Sequence, residues 1–238
     1  MIFDDGPEQR RQWVETRRQR LEALARAPVV AATAIARRAA AAADDPNLQK
    51  DAPVEEIPPW RRGRAGTALG RAVHAVLQSI DLATGAGVEG AARAQAAAEG
   101  IAERAHEVAR VVKAALEVPS VREAVDGGRY WREVYVAVPV DGVTIEGFID
   151  LLYETEAGFV IVDYKTDVVP GEAELDAAMG RYRLQGAAYA MALQEALGRP
   201  VSSCRFVFVQ ASGARERAVE DLPEAIGDVR TQVGRFFA

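Results

Sequence analysis

Hydrophobic and polar positions change period along the chain. Between residues 66 and 83, Leu69, Val73, Val76, Leu77 and Ile80 recur at helical spacing and form one apolar stripe. His74 falls roughly 100° from that stripe on a 3.6-residue helix, so it lies on the flank. More helix is expected over 88–117, and a short helix or turn over 119–128. The period then drops to 2. Val134, Val136, Val138 and Val140 alternate, Asp141-Gly142 supplies a two-residue hairpin turn, and Val143, Ile145, Gly147, Ile149 and Leu151 alternate again. After a turn ending at Gly158, Phe159 to Lys165 makes a third strand. Pro170-Gly171 opens a long helix to about Leu197, stopped by Gly198 and Pro200. Val201 to Val209 is almost continuously apolar, as expected of a buried strand reached by a helical crossover. A strand near 215–220 and a helix from Pro223 complete the order. The predicted class is α/β: an antiparallel three-strand meander, a crossover helix and a parallel strand in one mixed sheet, flanked by helices.

The first 59 residues read differently. Residues 7–43 are rich in Arg and Ala and read as a long helix broken at Pro28. Residues 44–59 contain Asp44-Asp45-Pro46, Pro53 and Pro58-Pro59 and read as a linker. The expected organisation is a helical appendage with a Pro-rich linker over 1–59 and one domain over 60–238.

Composition narrows the classes. With 49% hydrophobic and 27% charged residues, whole-chain disorder, collagen and coiled-coil rod are excluded. No apolar run approaches the roughly 20 residues of a membrane span. The start has neither a basic n-region nor an apolar h-region, so no secretory signal is expected and the cytoplasm is the default compartment. Cys204 is the only cysteine, which excludes an internal disulfide framework, a Cys-rich zinc site and a four-Cys iron–sulfur cluster.

A net charge of −6 argues against a nucleic-acid binder only if the charge is uniform, and it is not. Residues 57–80 carry Arg61, Arg62, Arg64 and Arg71 and no acid, while 154–176 is acidic. A metal-dependent phosphate-handling site needs such neighbouring patches, although scattered surface charge gives the same count. Lysine survives only at Lys50, Lys113 and Lys165 in a chain that otherwise uses arginine. A position that keeps the compact ammonium points to a job that the planar guanidinium cannot do.

Lys165 stands in the run Asp163-Tyr164-Lys165. Residues two apart share a strand face, so Asp163 and Lys165 project together at the end of a greasy segment. Asp150 ends the preceding apolar strand, on the face opposite Ile145, Ile149 and Leu151. Two adjacent strands thus deliver two carboxylates and one lysine. Like charges brought together are costly unless a cation joins them, and carboxylate and carbonyl oxygens suit a hard divalent ion. Asp163 and Lys165 alone read equally as a structural ion pair; Asp150 tips the balance towards a metal site.

These residues carry a resemblance. Gly70-Arg-Ala-Val-His74, Gly147-Phe-Ile-Asp150, Asp163-Tyr-Lys165-Thr-Asp and Gln185-Gly-Ala-Ala-Tyr189 occur in that order. Over residues 60–238 the chain resembles the RecB-type nuclease module of the PD-(D/E)XK superfamily, whose sheet is restriction-endonuclease-like. The resemblance implies that His74, Asp150, Asp163 and the Tyr164 backbone carbonyl bind Mg²⁺ or Mn²⁺. It implies that Lys165 activates or positions water or offsets transition-state charge, and that Gln185 and Tyr189 line the active site and hold the nucleic-acid strand. Glu133, just before the first strand, matches a common family acid.

The implied activity is metal-dependent DNA hydrolysis in repair and recombination, with a helicase motor in cis or as a partner subunit. No Walker loop is present, so a preference for single-stranded DNA is expected. A catalytically inactive nuclease fold that binds DNA or scaffolds, and a small-molecule metal hydrolase, are the alternatives. Tyr189 also reads as core, Gln185 as a solvent-facing helix residue, His106 as a surface histidine and Cys204 as inert core. Trp60 reads as a base-stacking residue or as an anchor for the linker.

Overall fold

The computed structural model describes Glu8, Arg10, Val14, Glu15, Arg18, residues 29–42 and residues 66–237. The predicted linker and Trp60, Arg61, Arg62 and Arg64 lie outside the described residues. The strands are β1 (Val29–Ala31), β2 (Tyr130–Val140), β3 (Val143–Thr155), β4 (Gly158–Lys165), β5 (Val201–Gln210) and β6 (Gly213–Ala218). The α-helices are α1 (Ala32–Ala42), α2 (Ala68–Ser79), α3 (Val88–Ala98), α4 (Ala105–Leu116), α5 (Pro119–Gly127), α6 (Glu172–Leu197) and α7 (Leu222–Phe237). The helix expected over 88–117 is broken between α3 and α4 at Gly100, which takes φ +73°.

The mixed sheet forms as the periodicity predicts. Asp141 and Gly142 both take positive φ, 47° and 79°, which matches the twist of the hairpin they join. β2, β3 and β4 run antiparallel, α6 crosses over, β5 lies parallel to β4, and β6 returns antiparallel. Two apolar layers enclose the sheet. One lies under α1, α6 and α7 and includes Ile35, Ile149, Ile161, Phe206 and Phe208. The other lies under α2 to α5 and includes Val73, Val112, Leu151, Val162 and Val207.

Two features depart from the sequence reading. Val29–Ala31 is a strand, parallel to Thr144–Glu146 of β3, rather than part of a helix. Pro28 ends any helix before it, and Val29-Val30 favours extended backbone. Ala32 and Ile35 of α1 are fully buried beside α6, whose residues Gln185–Leu193 are buried without interruption. A helix apolar all round needs cover on both sides, and α1 supplies one of them.

The second departure concerns faces. Ile145 and Ile149 join the α6 layer, whereas Leu151 and Tyr153 join the α2–α5 layer. β2 changes face at the facing position: Val134, Val136 and Val138 pack with the α6 layer, but Tyr130 packs with the other. The change falls at Glu133, which takes φ +51° opposite Asp150. Because both sheet faces are buried, the alternation alone could not reveal where the face switches.

Gly186 is one place where α6 presses closely on the sheet. A Cβ there would sit 2.8 Å from Cys204 Sγ, 3.0 Å from Phe206 Cε2 and 3.1 Å from Val219 Cγ2. Gly186→Val should destabilise the protein by about 1–3 kcal/mol, measured by denaturant unfolding, because the β5 side chains must move apart. Gly186→Ala should cost less, since its better helix propensity offsets part of the clash.

Candidate active site

The ladder between β3 and β4 stops at its most charged point. Its last pairing in that direction is Leu151 with Val162. The next residues are Asp150 and Asp163, and there the strands part. β3 turns to pair with β1 over 144–146, while Asp163 to Lys165 of β4 stay paired with β5. Two carboxylates therefore flank the fork of the sheet.

Asp150 is served from the α2 side. Its Oδ1 lies 3.0 Å from His74 Nδ1, and its Oδ2 accepts the Tyr164 backbone N–H at 2.7 Å. Helix α2, which carries His74, is fixed at both ends. Thr67 caps it by accepting the Gly70 N–H at 3.1 Å. Gly70 lets the helix press on the strand end, since a Cβ there would lie 2.9 Å from Thr166 Oγ1. At the other end, Arg132 donates to the Leu77 and Ile80 carbonyls at 3.0 and 2.6 Å.

Glu133 follows Arg132, inside β2 rather than before it. Its positive φ costs of order 1–2 kcal/mol for a residue with a Cβ. Its carboxylate joins His74 and Asp150 in a group whose ligand atoms all lie within 4.8 Å of one another.

Asp163 is served from the α6 side. It is only 3% exposed, and its Oδ2 accepts from Gln185 Nε2 at 3.2 Å. Its Oδ1 lies 2.6 Å from Lys165 Nζ, in ion-pair contact but not aligned as a hydrogen bond. Lys165 donates to Gln185 Oε1 at 3.2 Å, and Gln185 donates its other hydrogen to Tyr189 Oη at 2.9 Å. The Tyr189 ring fills the space over Gly147, where a Cβ would lie 2.4 Å from Cε1.

The two halves share one electrostatic field. Burial opposes charge on His74, but Asp150, with help from Asp163, outweighs it and raises the imidazole pKa to about 9. Burial pushes the Asp163 carboxyl up to about 6; Lys165 opposes this and Asp150 adds to it. The Glu133 and Asp150 carboxylates and the His74 imidazole make a donor set that suits a divalent cation, while Asp163, in ion-pair contact with Lys165, stands outside that group.

A profile of the PD-(D/E)XK nuclease superfamily matches residues 48–233. The chain belongs to that nuclease superfamily. An ATP-dependent helicase/nuclease subunit from Desulforudis audaxviator is 34% identical over 220 residues, covering 79% of this chain and 17% of that protein. One of the same name from Desulforamulus reducens is 40% identical over 85 residues, covering 34% of this chain and 6% of the relative. The nuclease chain thus spans less than a fifth of the relatives it matches. A solved structure from Eubacterium rectale aligns at 16% identity over 65% of each chain with a TM-score of 0.40, too loose a likeness to add to the assignment.

Within this nuclease fold, His74 and Asp150 meet with Glu133 on the α2 side of the fork, and Asp163, Lys165, Gln185 and Tyr189 form a second group on the α6 side. Gln185 is 3% exposed, so the solvent-facing alternative does not hold. Arg71, counted with the basic stretch, is engaged by Glu99 at 2.8 Å. His106 is exposed on α4, and Cys204 is buried, with its thiol pKa pushed up by burial. Sequence reasoning missed Arg132 and Tyr182. Asp167 closes the Asp163 motif with no role that spacing could assign; it accepts from the Tyr182 hydroxyl at 2.9 Å.

The raised His74 pKa yields a pH dependence. The folded protein holds that proton more tightly than the unfolded chain. The stabilisation is complete below 6.5 and is lost as pH rises through about 9. In EDTA, the melting temperature should decline across that window, and His74→Gln should flatten the decline. An unchanged slope in the variant would show that His74 is not the group responsible.

Proposed function

We propose that this chain is a divalent-cation-dependent DNA nuclease, the nuclease module of a helicase–nuclease acting in DNA repair and recombination. The observation that carries the reading is the pair Asp150 and Asp163 at the sheet fork, with Lys165 Nζ 2.6 Å from Asp163. A structural ion pair has no need of a second carboxylate, a histidine and a strained glutamate beside it.

His74, Asp150, Asp163 and the Tyr164 carbonyl would hold Mg²⁺ or Mn²⁺, with Glu133 added by its place beside His74 and Asp150. Such a cation, when bound, supplies Lewis-acid polarisation of the phosphodiester and a more acidic water. The side chains do the rest. Lys165 holds its ammonium where it can orient the attacking water or offset negative charge developing on the phosphoryl oxygens. Gln185 keeps Lys165 and Asp163 in register, and Tyr189 closes the α6 side of the fork. Protonated His74 must release its proton to act as a ligand, so cation affinity rises with pH.

The relatives are helicase/nuclease subunits, which supports a helicase motor in cis or on a partner chain. Such a motor delivers separated strands, which supports a preference for single-stranded DNA. No helix among the described residues is long and apolar enough to cross a membrane. A cytoplasmic location is part of the same proposal.

Asp150→Ala and Asp163→Ala should each abolish cleavage of a labelled oligonucleotide while leaving the far-UV circular dichroism unchanged. Full activity in excess EDTA would overturn the mechanism. Lys165→Arg should be nearly as damaging as Lys165→Ala, because the planar fork does not fit the place of the ammonium. Recovery of most of the rate with Arg would reduce Lys165 to a counter-charge. On matched oligonucleotides without ATP, single strands should be cut faster than blunt duplex, with steep loss as salt rises. Equal or faster cutting of the duplex would point to a free-standing endonuclease.

A further inference from the structure

The Lys165 ammonium is fixed from a side the motif does not predict. Besides Asp163 and Gln185, its Nζ lies 4.4 Å from the centroid of the Tyr182 ring and 5.4 Å from that of Phe206. Tyr182 stacks on Phe206 at 5.4 Å. Its hydroxyl donates to Asp167 Oδ2 at 2.9 Å. Asp167 is itself tied down: its carbonyl accepts from Gln210 Nε2 at 3.2 Å, and its carboxylate lies 4.0 Å from the Arg181 guanidinium. On α6, Tyr182, Gln185 and Tyr189 stand at i, i+3 and i+7, one stripe directed at Lys165, Asp163 and Gly147.

We infer that Tyr182, clamped by Asp167, is a positioning residue for Lys165: its ring face, with Asp163 and Gln185, confines the ammonium to one place. A lysine side chain loses about 2 kcal/mol of rotamer freedom when held, so an unrestrained ammonium would spend much of its time away from the reacting atoms. An aromatic face attracts a cation without neutralising it or competing for its protons. A carboxylate in that place would do both. This gives a purpose to the last residue of the Asp163-to-Asp167 run, which binds neither Lys165 nor the cation ligands directly. The inference rests on the nuclease reading for its catalytic consequence, but the placement of Lys165 can be tested without it.

The chain has three lysines, Lys50, Lys113 and Lys165, so selective labelling of lysine side chains leaves Lys165 readable by NMR. Held over the Tyr182 face, its ε-methylene should resonate upfield through the ring current. In the full chain, Tyr182→Leu should remove most of that shift, leaving the share of the Phe206 ring, and Tyr182→Phe, which keeps the ring but loses its tie to Asp167, should reduce it only in part. Asp167→Ala, which leaves the ring but frees its hydroxyl, should reduce it. In steady-state cleavage, Tyr182→Leu should lower kcat roughly tenfold with KM unchanged, and Tyr182→Phe should show a smaller loss that matches that of Asp167→Ala. In a Lys165→Ala background, Tyr182→Leu should cost nothing further, because the group it positions is gone.

An unshifted Lys165 resonance in the parent protein, or an equal loss from Tyr182→Leu with and without Lys165, would overturn the inference. If Tyr182→Leu fails to fold, Asp167→Ala decides: an unchanged shift and kcat would overturn the clamp. If Lys165→Ala cleaves normally, the nuclease reading of Lys165 falls, and the resonance still decides whether Tyr182 holds it.

Discussion

Two carboxylates face each other where a β ladder comes apart, and much of this structure answers the repulsion between them. Asp150 and Asp163 occupy the position after the last β3–β4 pairing. Each is met by a cationic group from a different direction. His74 reaches Asp150 from α2, on one side of the sheet, and Lys165 reaches Asp163 along its own strand, on the side covered by α6. The Lys165 contact offsets the cost of burying Asp163 only in part, and burial still pushes its carboxyl up to about 6. Beside the Asp150 half, His74 and Glu133 complete a donor set of the kind that suits a divalent cation.

The fork is possible because β3 shares one edge between two partners. Its first half pairs with β1 and its second with β4. Between them no strand among the described residues pairs with that edge, and Tyr189 lies against Gly147 there. A side chain at Gly147 would expel that ring and loosen the hydrogen bond from Gln185. Gly70 plays the same part on the other side, where α2 meets Thr166. Both glycines stand in the motifs for the same reason: at each, another residue occupies the space a Cβ would take.

Much of the fold was legible, because local chemistry writes it. The period of 2, the Asp141-Gly142 turn and the apolar run of β5 name their elements without reference to anything distant. β1 was not legible. Three residues inside an Ala- and Arg-rich stretch carry almost no periodic signal, and their strand state is set by pairing with β3. The face switch at Glu133 and Asp150 was hidden for another reason. A strand buried on both sides looks alike in sequence whichever face each residue takes. Tyr182 escaped notice because an aromatic residue on a helix reads as core, and it is in part core, stacked on Phe206.

The sequence by itself determined which residues share a strand, a helix face or a turn, since these follow from spacing along one stretch of backbone. It placed Asp163 beside Lys165 and Gln185 one turn from Tyr189. Only the tertiary structure decided that Glu133 closes on His74 and that the Tyr182 ring covers Lys165. Those meetings join segments far apart in the chain. Their register is set by helices packing on both faces of the sheet at once, a global condition that no local stretch of sequence encodes.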